Sequence, residues 1–175
     1  MKYFKVVIIL FTLVAQPLSA VEKSELFTVD LTRLLRSSEF GKNIIAANNI
    51  ARQKLQSENE ELEAKLLLEE KKLSELRKTL SLEEFRPKAL EFDKRVTVIR
   101  KEQGEKEEFL NKKVRKEESE FFRKVYPVLY EILIERGGLI LVDQRNVILW
   151  DNSVDITDDA IQAINQALGS GVKID

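Results

Sequence analysis

Apolar residues recur at the spacing of a coiled coil through most of the region between Ser37 and Gly137. Successive positions are separated by three or four residues, or by sums of these steps, which keeps one face of a helix apolar. These positions are Ile45, Leu55, Leu62, Leu66, Leu73, Leu76 and Leu80, followed by Phe92, Val96, Ile99, Leu110, Val114, Phe121 and Val125. The pattern is interrupted at residues 81–87, so it predicts two long helices, at about 39–80 and 87–136, that fold back as an antiparallel hairpin.

Capping signals mark the ends of both predicted helices. Ser37-Ser38 offers a hydroxyl cap for the first helix, and Ser81 with Glu84 fits a capping box at the reversal. A proline deep inside a helix removes a hydrogen bond and clashes with the preceding turn. We therefore expect the return helix to begin at about Pro87. Gly137-Gly138 supplies the left-handed residue that commonly ends a helix.

Short apolar segments flank the hairpin on both sides. Leu26–Asp30 precedes it as a predicted strand. After it, Leu139–Asp143 and Val147–Asp151 are joined by Gln144–Asn146, which favours a β-hairpin whose last loop residue, Asn146, is left-handed. Neither of these two strands alternates polar with apolar residues, so we expect both faces of each, including Trp150, to be buried.

A last helix follows these strands. Thr157 is its predicted N-cap, and Asp158 and Asp159 are favourably placed near its positive end. Its predicted apolar face consists of Ile161, Ile164 and Leu168.

The predicted strands carry more apolar surface than one chain can cover. Three short strands cannot bury both faces, and a hairpin that projects away from them adds no lid. Strands from several copies that close into one barrel would remove this mismatch. The sequence therefore predicts an α+β fold, mostly α, with a small three-strand body that forms a shared β-barrel in an obligate oligomer and a long projecting antiparallel coiled-coil hairpin. We expect the oligomer core to contain Leu139, Leu141, Val147, Leu149 and Trp150.

The N-terminal residues are typical of a secretory signal peptide. Lys2 and Lys5 provide the positive start, Val6–Val14 the apolar run, and Pro17–Ala20 the small-residue cleavage region. An uncleaved membrane anchor is the alternative, although the apolar run is shorter than the roughly 20 residues that a bilayer span needs. We therefore divide the chain into a signal peptide (1–20), an oligomerisation body (21–38 and 137–175) and the helical hairpin (39–136).

Charge is dense and nearly balanced along the chain. There are 29 basic and 30 acidic residues, and loss of Lys2 and Lys5 with the signal peptide leaves 27 against 30, a net charge of −3. No nucleic-acid partner is expected, because phosphate binding needs a basic surplus. In Lys101–Glu120, 13 of 20 residues are charged, in both signs, which is typical of a solvated helix.

Catalytic chemistry has few candidate groups in this sequence. The chain contains no histidine and no cysteine, so the commonest general base, metal ligand and thiol nucleophile are absent. The acidic run at 151–159 fails the calcium-loop pattern, because Ile156 replaces the required glycine and Gln162 the closing glutamate. We expect no enzymatic activity, no catalytic residue, no metal site and no cofactor.

Several large apolar residues fall off the predicted seam of the hairpin. Leu67 and Leu68 leave the seam when Leu66 is placed on it, and Phe85 near the tip and Phe109 in the return helix are further candidates for exposure. Exposed apolar groups on a projecting arm are costly unless something binds them. These four residues are candidate contacts for unfolded hydrophobic chains, and the alternative, packing on the opposite helix, is left open by the sequence.

A set of short motifs, in a fixed order, extends over the whole chain after the signal peptide. They are Phe27-Thr-Val-Asp30, Ser38-x-x-Gly41-Lys42, the long charged hairpin, Leu141-Val-Asp143, Val147-x-Leu149 and Asp155-Ile-Thr157. This arrangement resembles the Skp/OmpH family of periplasmic chaperones for outer-membrane proteins. The resemblance implies a homotrimer with a small β-barrel body and three helical tentacles that enclose a cavity for unfolded clients.

The resemblance further implies an ATP-independent periplasmic holdase that binds unfolded outer-membrane β-barrel proteins and prevents their aggregation. The best-known family member is strongly basic, whereas this mature chain is slightly acidic, so peripheral contact with the membrane or with lipopolysaccharide is left open. A structural coiled-coil adaptor in the periplasm is the alternative. Such adaptors carry substantial β-domains on both sides of their hairpin, whereas only 17 residues lie between Ala20 and Ser38 here.

Overall fold

The computed structural model describes residues 25–170. In chain order, these residues form strand β1 (Leu26–Val29), helices α1 (Leu31–Ser37), α2 (Glu39–Thr79) and α3 (Leu82–Glu135), strand β2 (Ile140–Asp143) and helix α4 (Thr157–Leu168). Two short 3-10 helices, Gln144–Asn146 and Asn152–Val154, lie between β2 and α4. The predicted signal peptide lies outside the described residues.

Helices α2 and α3 form the predicted antiparallel hairpin. Ion pairs join Glu58 to Lys106 at 3.1 Å and Glu69 to Arg95 at 2.7 Å, so each step forward along α2 is matched by a step back along α3. At about 1.5 Å per residue, the two helices are about 60 and 80 Å long. The prediction of a mostly α fold with a long helical hairpin is confirmed.

The helix ends use the capping groups that the sequence predicts. The Ser38 hydroxyl accepts a hydrogen bond from the Gly41 amide at 3.2 Å at the start of α2. At the tip of the hairpin, the Glu84 carboxylate accepts the Ser81 amide at 3.1 Å, and the Ser81 hydroxyl accepts the Glu84 amide at 3.4 Å. Gly137, with φ of 68°, ends α3 in a left-handed conformation.

The predicted start of the return helix at Pro87 is wrong. Helix α3 begins at Leu82, and Pro87 lies inside it. The capping box satisfies the first amides of α3 ahead of the proline, which therefore costs one hydrogen bond close to the helix start instead of breaking a long helix. The reversal between the two helices is consequently confined to Leu80 and Ser81.

The sheet consists of two parallel strands. β1 pairs with β2 in a register that places Leu26 opposite Ile140 and Val29 opposite Asp143. Parallel pairing needs a long crossover connection, which the helical hairpin provides. After α3, the Asp155 backbone adds a single bridge beside Thr28.

The predicted strand at Val147–Asp151 and the hairpin before it are wrong within this chain. The connecting residues form a 3-10 helix, and no described residue other than glycine has a positive φ, so Asn146 is not left-handed. The Asp143 carboxylate accepts the Arg145 amide at 3.1 Å and its guanidinium nitrogen Nε at 2.8 Å. This local turn directs the chain away from β2, and the fold class is correct with two strands in place of three.

A compact core lies where the two strands, the roots of α2 and α3, and α4 meet. Gly138 lies between α3 and β1, where an added Cβ would approach the side chains of Leu133 and Phe27. The buried cluster consists of Phe27, Val29, Leu34, Phe40, Ile44, Phe121, Val125, Val128, Leu129, Ile132, Leu133, Ile156, Ala160 and Ile164. The predicted apolar face of α4 is confirmed, since Ile161 and Leu168 also pack against this cluster.

Thr157 does not cap α4 as predicted. Ile156 occupies the N-cap position without a side-chain hydrogen bond. The buried Thr157 hydroxyl instead accepts the Asp30 amide at 2.9 Å and donates to the Asp155 carboxylate at 2.5 Å. The threonine therefore attaches the start of α4 to the end of β1, while Asp158 and Asp159 occupy the first turn as expected.

Candidate functional site

The seam of the hairpin is only partly closed along the arms. Leu55, Leu62, Leu66 and Leu73 are half-buried between α2 and α3, as the apolar pattern predicts. Near the tip, Leu76 is 38% exposed although it belongs to the same pattern. A pair of helices cannot enclose its own seam completely, so apolar surface remains accessible along both arms.

Three of the four predicted client-contact residues are exposed on the arms. Leu67 and Leu68 lie outside the seam on α2, and Phe109 on α3 is 71% exposed. The ion pairs of the hairpin place Phe109 level with Leu55, about 18 Å along the helix axis from Leu67 at about 1.5 Å per residue. The structure therefore does not bring these residues together into one patch.

Phe85 differs from the other three candidates. Its side chain is half-buried, and the Arg77 guanidinium lies 4.9 Å from the centre of its ring. Such a cation–π contact attaches the start of α3 to the end of α2. The prediction of a fully exposed Phe85 is wrong, because Arg77 covers the ring.

Exposed apolar residues that the sequence analysis missed lie on the arms and at the root of α3. Tyr126, Tyr130 and Ile134 are each more than half exposed, and the rings of Phe122 and Tyr126 stack with centroids 6.0 Å apart. The spacing of four residues from position 122 to 134 places this aromatic stripe along one side of α3, and that spacing was the signal available in the sequence. On the arms, the exposed apolar residues not predicted are Ile50, Leu82, Leu90 and Val98.

A second apolar surface lies beside the sheet and is called here the body edge. It comprises Leu139, Ile140, Ile148, Leu149 and Trp150. Ile148 is 94% and Leu149 86% exposed, and Trp150, predicted to be buried, is 41% exposed in the single chain. The two remaining residues of the predicted oligomer core are half-buried, and Leu141 packs against the core cluster. The expected burial of both strand faces is therefore wrong within one chain.

Two buried polar side chains lie at the root of the hairpin. Asn48 and Glu117 are each more than nine-tenths buried, and one oxygen of each has no hydrogen-bond partner among the described protein atoms. Asn48 lies ten residues before Glu58, which places it level with residue 116, beside Glu117. The Lys113 ammonium lies 3.5 Å from the Glu117 carboxylate, so this polar layer contains one ion pair.

Carboxylates with a shifted pKa in the described part of the chain are held in the charged form. Hydrogen bonds from Ser81 lower the pKa of Glu84, and those from Arg145 lower the pKa of Asp143. General-acid catalysis requires a carboxyl group whose pKa is raised, and none of these groups offers that. No group of three or more acidic residues in the described range could hold a metal ion. The absence of enzymatic activity stays a prediction.

Within residues 25–170, no helix is long and apolar enough to cross a membrane. The two long helices instead carry charges of both signs along their exposed sides, with ion pairs such as Lys112–Glu108 at 2.6 Å and Arg123–Glu120 at 2.6 Å. Exposed pairs of this kind contribute little to stability, so the arms depend on their seam for rigidity.

Comparison with known proteins connects this architecture to one family. No curated protein matches the chain at a significant level. A crystal structure from Caulobacter crescentus CB15, of an OmpH-like protein provisionally assigned as an outer membrane chaperone, matches with a TM-score of 0.77 and 17% sequence identity, over 87% of this chain and 89% of that one. This similarity establishes the fold. The family model described as "Outer membrane protein (OmpH-like)" matches residues 25–164, so the resemblance drawn from the motifs is confirmed and the chain belongs to the OmpH-like family.

Proposed function

We propose that this chain is an ATP-independent holdase of the periplasm that binds unfolded outer-membrane proteins and prevents their aggregation. The observation that supports this most directly is the exposure of Leu67, Leu68 and Phe109 on long arms whose surface is otherwise charged. Apolar side chains held out in water are available for contact with other chains. Membership of the OmpH-like family and the chaperone assignment of the Caulobacter protein agree with this function.

Clients would be held by many weak contacts and not by one fitted pocket. The exposed apolar residues are spread along both arms and are separated by ion-paired charges. A dispersed surface of this kind tolerates clients with different sequences, and weak individual contacts permit release without a nucleotide. Covering the strand edges of an unfolded barrel protein blocks the edge pairing that leads to aggregates.

We infer that three copies assemble through the body edge. In one chain, Ile148 and Leu149 are almost fully exposed beside a sheet of only two strands. Contiguous apolar surface on a soluble protein usually marks an interface, and a two-stranded sheet is marginal alone. In this proposal, residues 21–38 and 137–175 form the assembly body, residues 39–136 contact the client, and the signal peptide at 1–20 is removed.

A triple substitution on the arms tests the holdase directly. Changing Leu67, Leu68 and Phe109 to Ser should weaken client binding about tenfold or more, because even partial burial of each side chain contributes about 1 kcal/mol. The measurement is suppression of aggregation of an unfolded outer-membrane β-barrel protein, with helicity followed by circular dichroism. Phe85 is left unchanged, because Arg77 holds it against the hairpin.

The matched control is the triple variant Gln53→Ser, Glu63→Ser and Lys71→Ser. These three residues are exposed on α2, and their replacement leaves the net charge of the chain unchanged. The control should retain full activity. Raising salt from low to physiological concentration should also weaken client binding only slightly, since screening acts on charges over about 8–10 Å. Loss of binding with salt, combined with full activity of the Leu67, Leu68 and Phe109 variant, would show that charge dominates and would contradict the proposal.

A further inference from the structure

An open groove lies between the two helices near the tip of the hairpin. Lys72, Leu73 and Leu76 line it from α2, and Lys88 and Phe92 from α3. Its volume is about 230 Å³, below the roughly 300–1,000 Å³ that is usual for small-molecule sites. A groove of this size suits one or two side chains of a polypeptide better than a cofactor.

The floor of the groove is apolar and reachable from solvent. Leu73 and Phe92 are half-buried seam residues, and Leu76 is 38% exposed. The apolar seam is therefore open at this level, just before the reversal at Ser81.

Two lysines stand at the groove without an ion-pair partner among the described residues. The acidic neighbours of Lys72 are engaged elsewhere, because Glu69 pairs with Arg95 at 2.7 Å and Glu75 with Lys78 at 2.9 Å. Lys72 therefore has no carboxylate in its own neighbourhood that is not already paired.

Lys88 is in the same situation on the opposite helix. Glu91 pairs with Arg95 at 2.9 Å. Glu84 accepts the amide and the hydroxyl of Ser81 at 3.1 and 2.7 Å. Local carboxylates that would otherwise neutralise the two ammonium groups are thus occupied, and an apolar floor lies between two available positive charges.

We propose that this groove takes an apolar side chain of an unfolded client whose sequence carries an acidic residue close by. In an extended chain, residues two positions apart project from the same side, about 6.6–6.8 Å from each other. An aspartate or glutamate two positions from a phenylalanine or leucine can then meet Lys72 or Lys88 while the apolar side chain lies on Leu73, Leu76 and Phe92. This inference rests on the proposed holdase function and adds to it a sequence preference located at the tip.

Short peptides test the preference on the full-length mature protein. One peptide carries a phenylalanine with an aspartate two positions away in a glycine–serine background, and its partner has asparagine in place of aspartate. Binding is followed by NMR titration at low salt. The aspartate peptide should bind at least threefold more tightly than the asparagine peptide, and equal affinities would overturn the proposal.

Paired lysine variants locate the effect. Lys72→Gln with Lys88→Gln should abolish the preference for aspartate. The control, Lys71→Gln with Lys94→Gln, makes the same change in net charge at exposed positions close by that do not line the groove, and it should keep the preference. Leu76→Ser should weaken both peptides equally. A preference that survives in the Lys72 and Lys88 variant would overturn the assignment to this groove.

Two further measurements separate this inference from its alternatives. Vesicles of phosphatidylglycerol and phosphatidylcholine should bind the wild type and both lysine pairs alike, and vesicle binding that depends on Lys72 and Lys88 without any peptide preference would contradict a peptide site. Aggregation of an unfolded barrel protein is measured in parallel. If the wild type suppresses it but shows no peptide preference, only the groove inference fails, whereas a wild type without suppression removes the holdase function itself.

Discussion

Glycine at position 41 determines how closely α1 and α2 approach at the elbow between them. A Cβ at this position would lie 1.9 Å from the carbonyl oxygen of Leu35 and 2.6 Å from its carbonyl carbon. Because both are backbone atoms, relief requires the two helices to move apart. Gly41→Ala should therefore lower the free energy of unfolding by about 1–3 kcal/mol or more, measured by urea denaturation.

Gly104→Ala is the matched control on α3. A Cβ there would meet nothing within 4 Å, and the residue lies inside a long helix. Alanine costs less backbone entropy than glycine in a helix, so this variant should gain about 0.5–1 kcal/mol. Equal effects of the two substitutions would contradict the close approach at Gly41.

Asp155 gives the body a defined response to acid. Burial raises the pKa of Asp155, but hydrogen bonds from the Thr157 hydroxyl and amide and from Gln144 outweigh it, so the pKa lies below its ordinary value of 3.8. The carboxylate therefore contributes stability above about pH 4, and this contribution is lost as the pH falls through the folded-state pKa. Asp155→Asn should cost about 1 kcal/mol at pH 7, since charged acceptors make the stronger hydrogen bonds.

The check on Asp155 is thermal unfolding at pH 7 and at pH 3, at one fixed protein concentration. The difference in Tm between the wild type and Asp155→Asn should shrink at pH 3, where the wild-type carboxyl becomes protonated. A difference that is the same at both pH values would show that the charge has no part in the stability of the body.

Local chemistry explains which residues could be predicted from the sequence. The hydroxyl caps at Ser38 and Ser81 and the glycine at 137 act on atoms a few residues away, so their roles are visible in short motifs. Thr157 was misassigned because its partners are Asp30, distant in the sequence, and Asp155, which competes for its hydroxyl. The exposure of Phe85 failed for a similar reason, since Arg77 reaches it from the preceding helix.

At the scale of elements, the helices could be predicted and one strand could not. Coiled-coil periodicity depends only on the helix itself, and α2 and α3 follow it. A strand depends on its partner, and within one chain the residues at 147–150 have none in the described sheet. The candidate surface on the arms followed from the same periodicity, whereas the groove at the tip depends on which ion pairs form across the hairpin.

The arms and the body should be separable. No residue of the core cluster lies between Leu55 and Val114. Replacing Leu55–Val114 by a short turn should therefore leave a cooperatively unfolding body, observed by near-ultraviolet circular dichroism. Suppression of client aggregation should disappear with the arms. A truncated protein that still protects an unfolded barrel protein would place client binding on the body.

At the scale of the whole molecule, the body edge should control assembly. Leu149→Asp introduces a charge on a surface that is exposed in one chain and covered in the proposed trimer, where an unpaired buried charge costs several kcal/mol. Sedimentation equilibrium should show a trimer for the wild type and dissociation for Leu149→Asp. Leu141→Asp should also unfold the chain, because Leu141 packs against the core.

Leu90→Asp serves as the control for assembly. Leu90 is more than half exposed on α3, away from the body edge, so the same chemical change there should leave the trimer intact. A wild-type protein that remains a stable monomer at micromolar concentration would remove the trimer from the proposal.

The parallel pairing of β1 with β2 determines the order in which the chain can fold. Leu26 pairs with Ile140, and contacts between residues so distant in sequence form slowly because loop closure costs entropy before any contact rewards it. The two long helices bring their own ends together through contacts that grow outward from the tight reversal at Ser81. A newly exported chain should therefore complete its arms first, and both strands wait unpaired until α2 and α3 have aligned their roots.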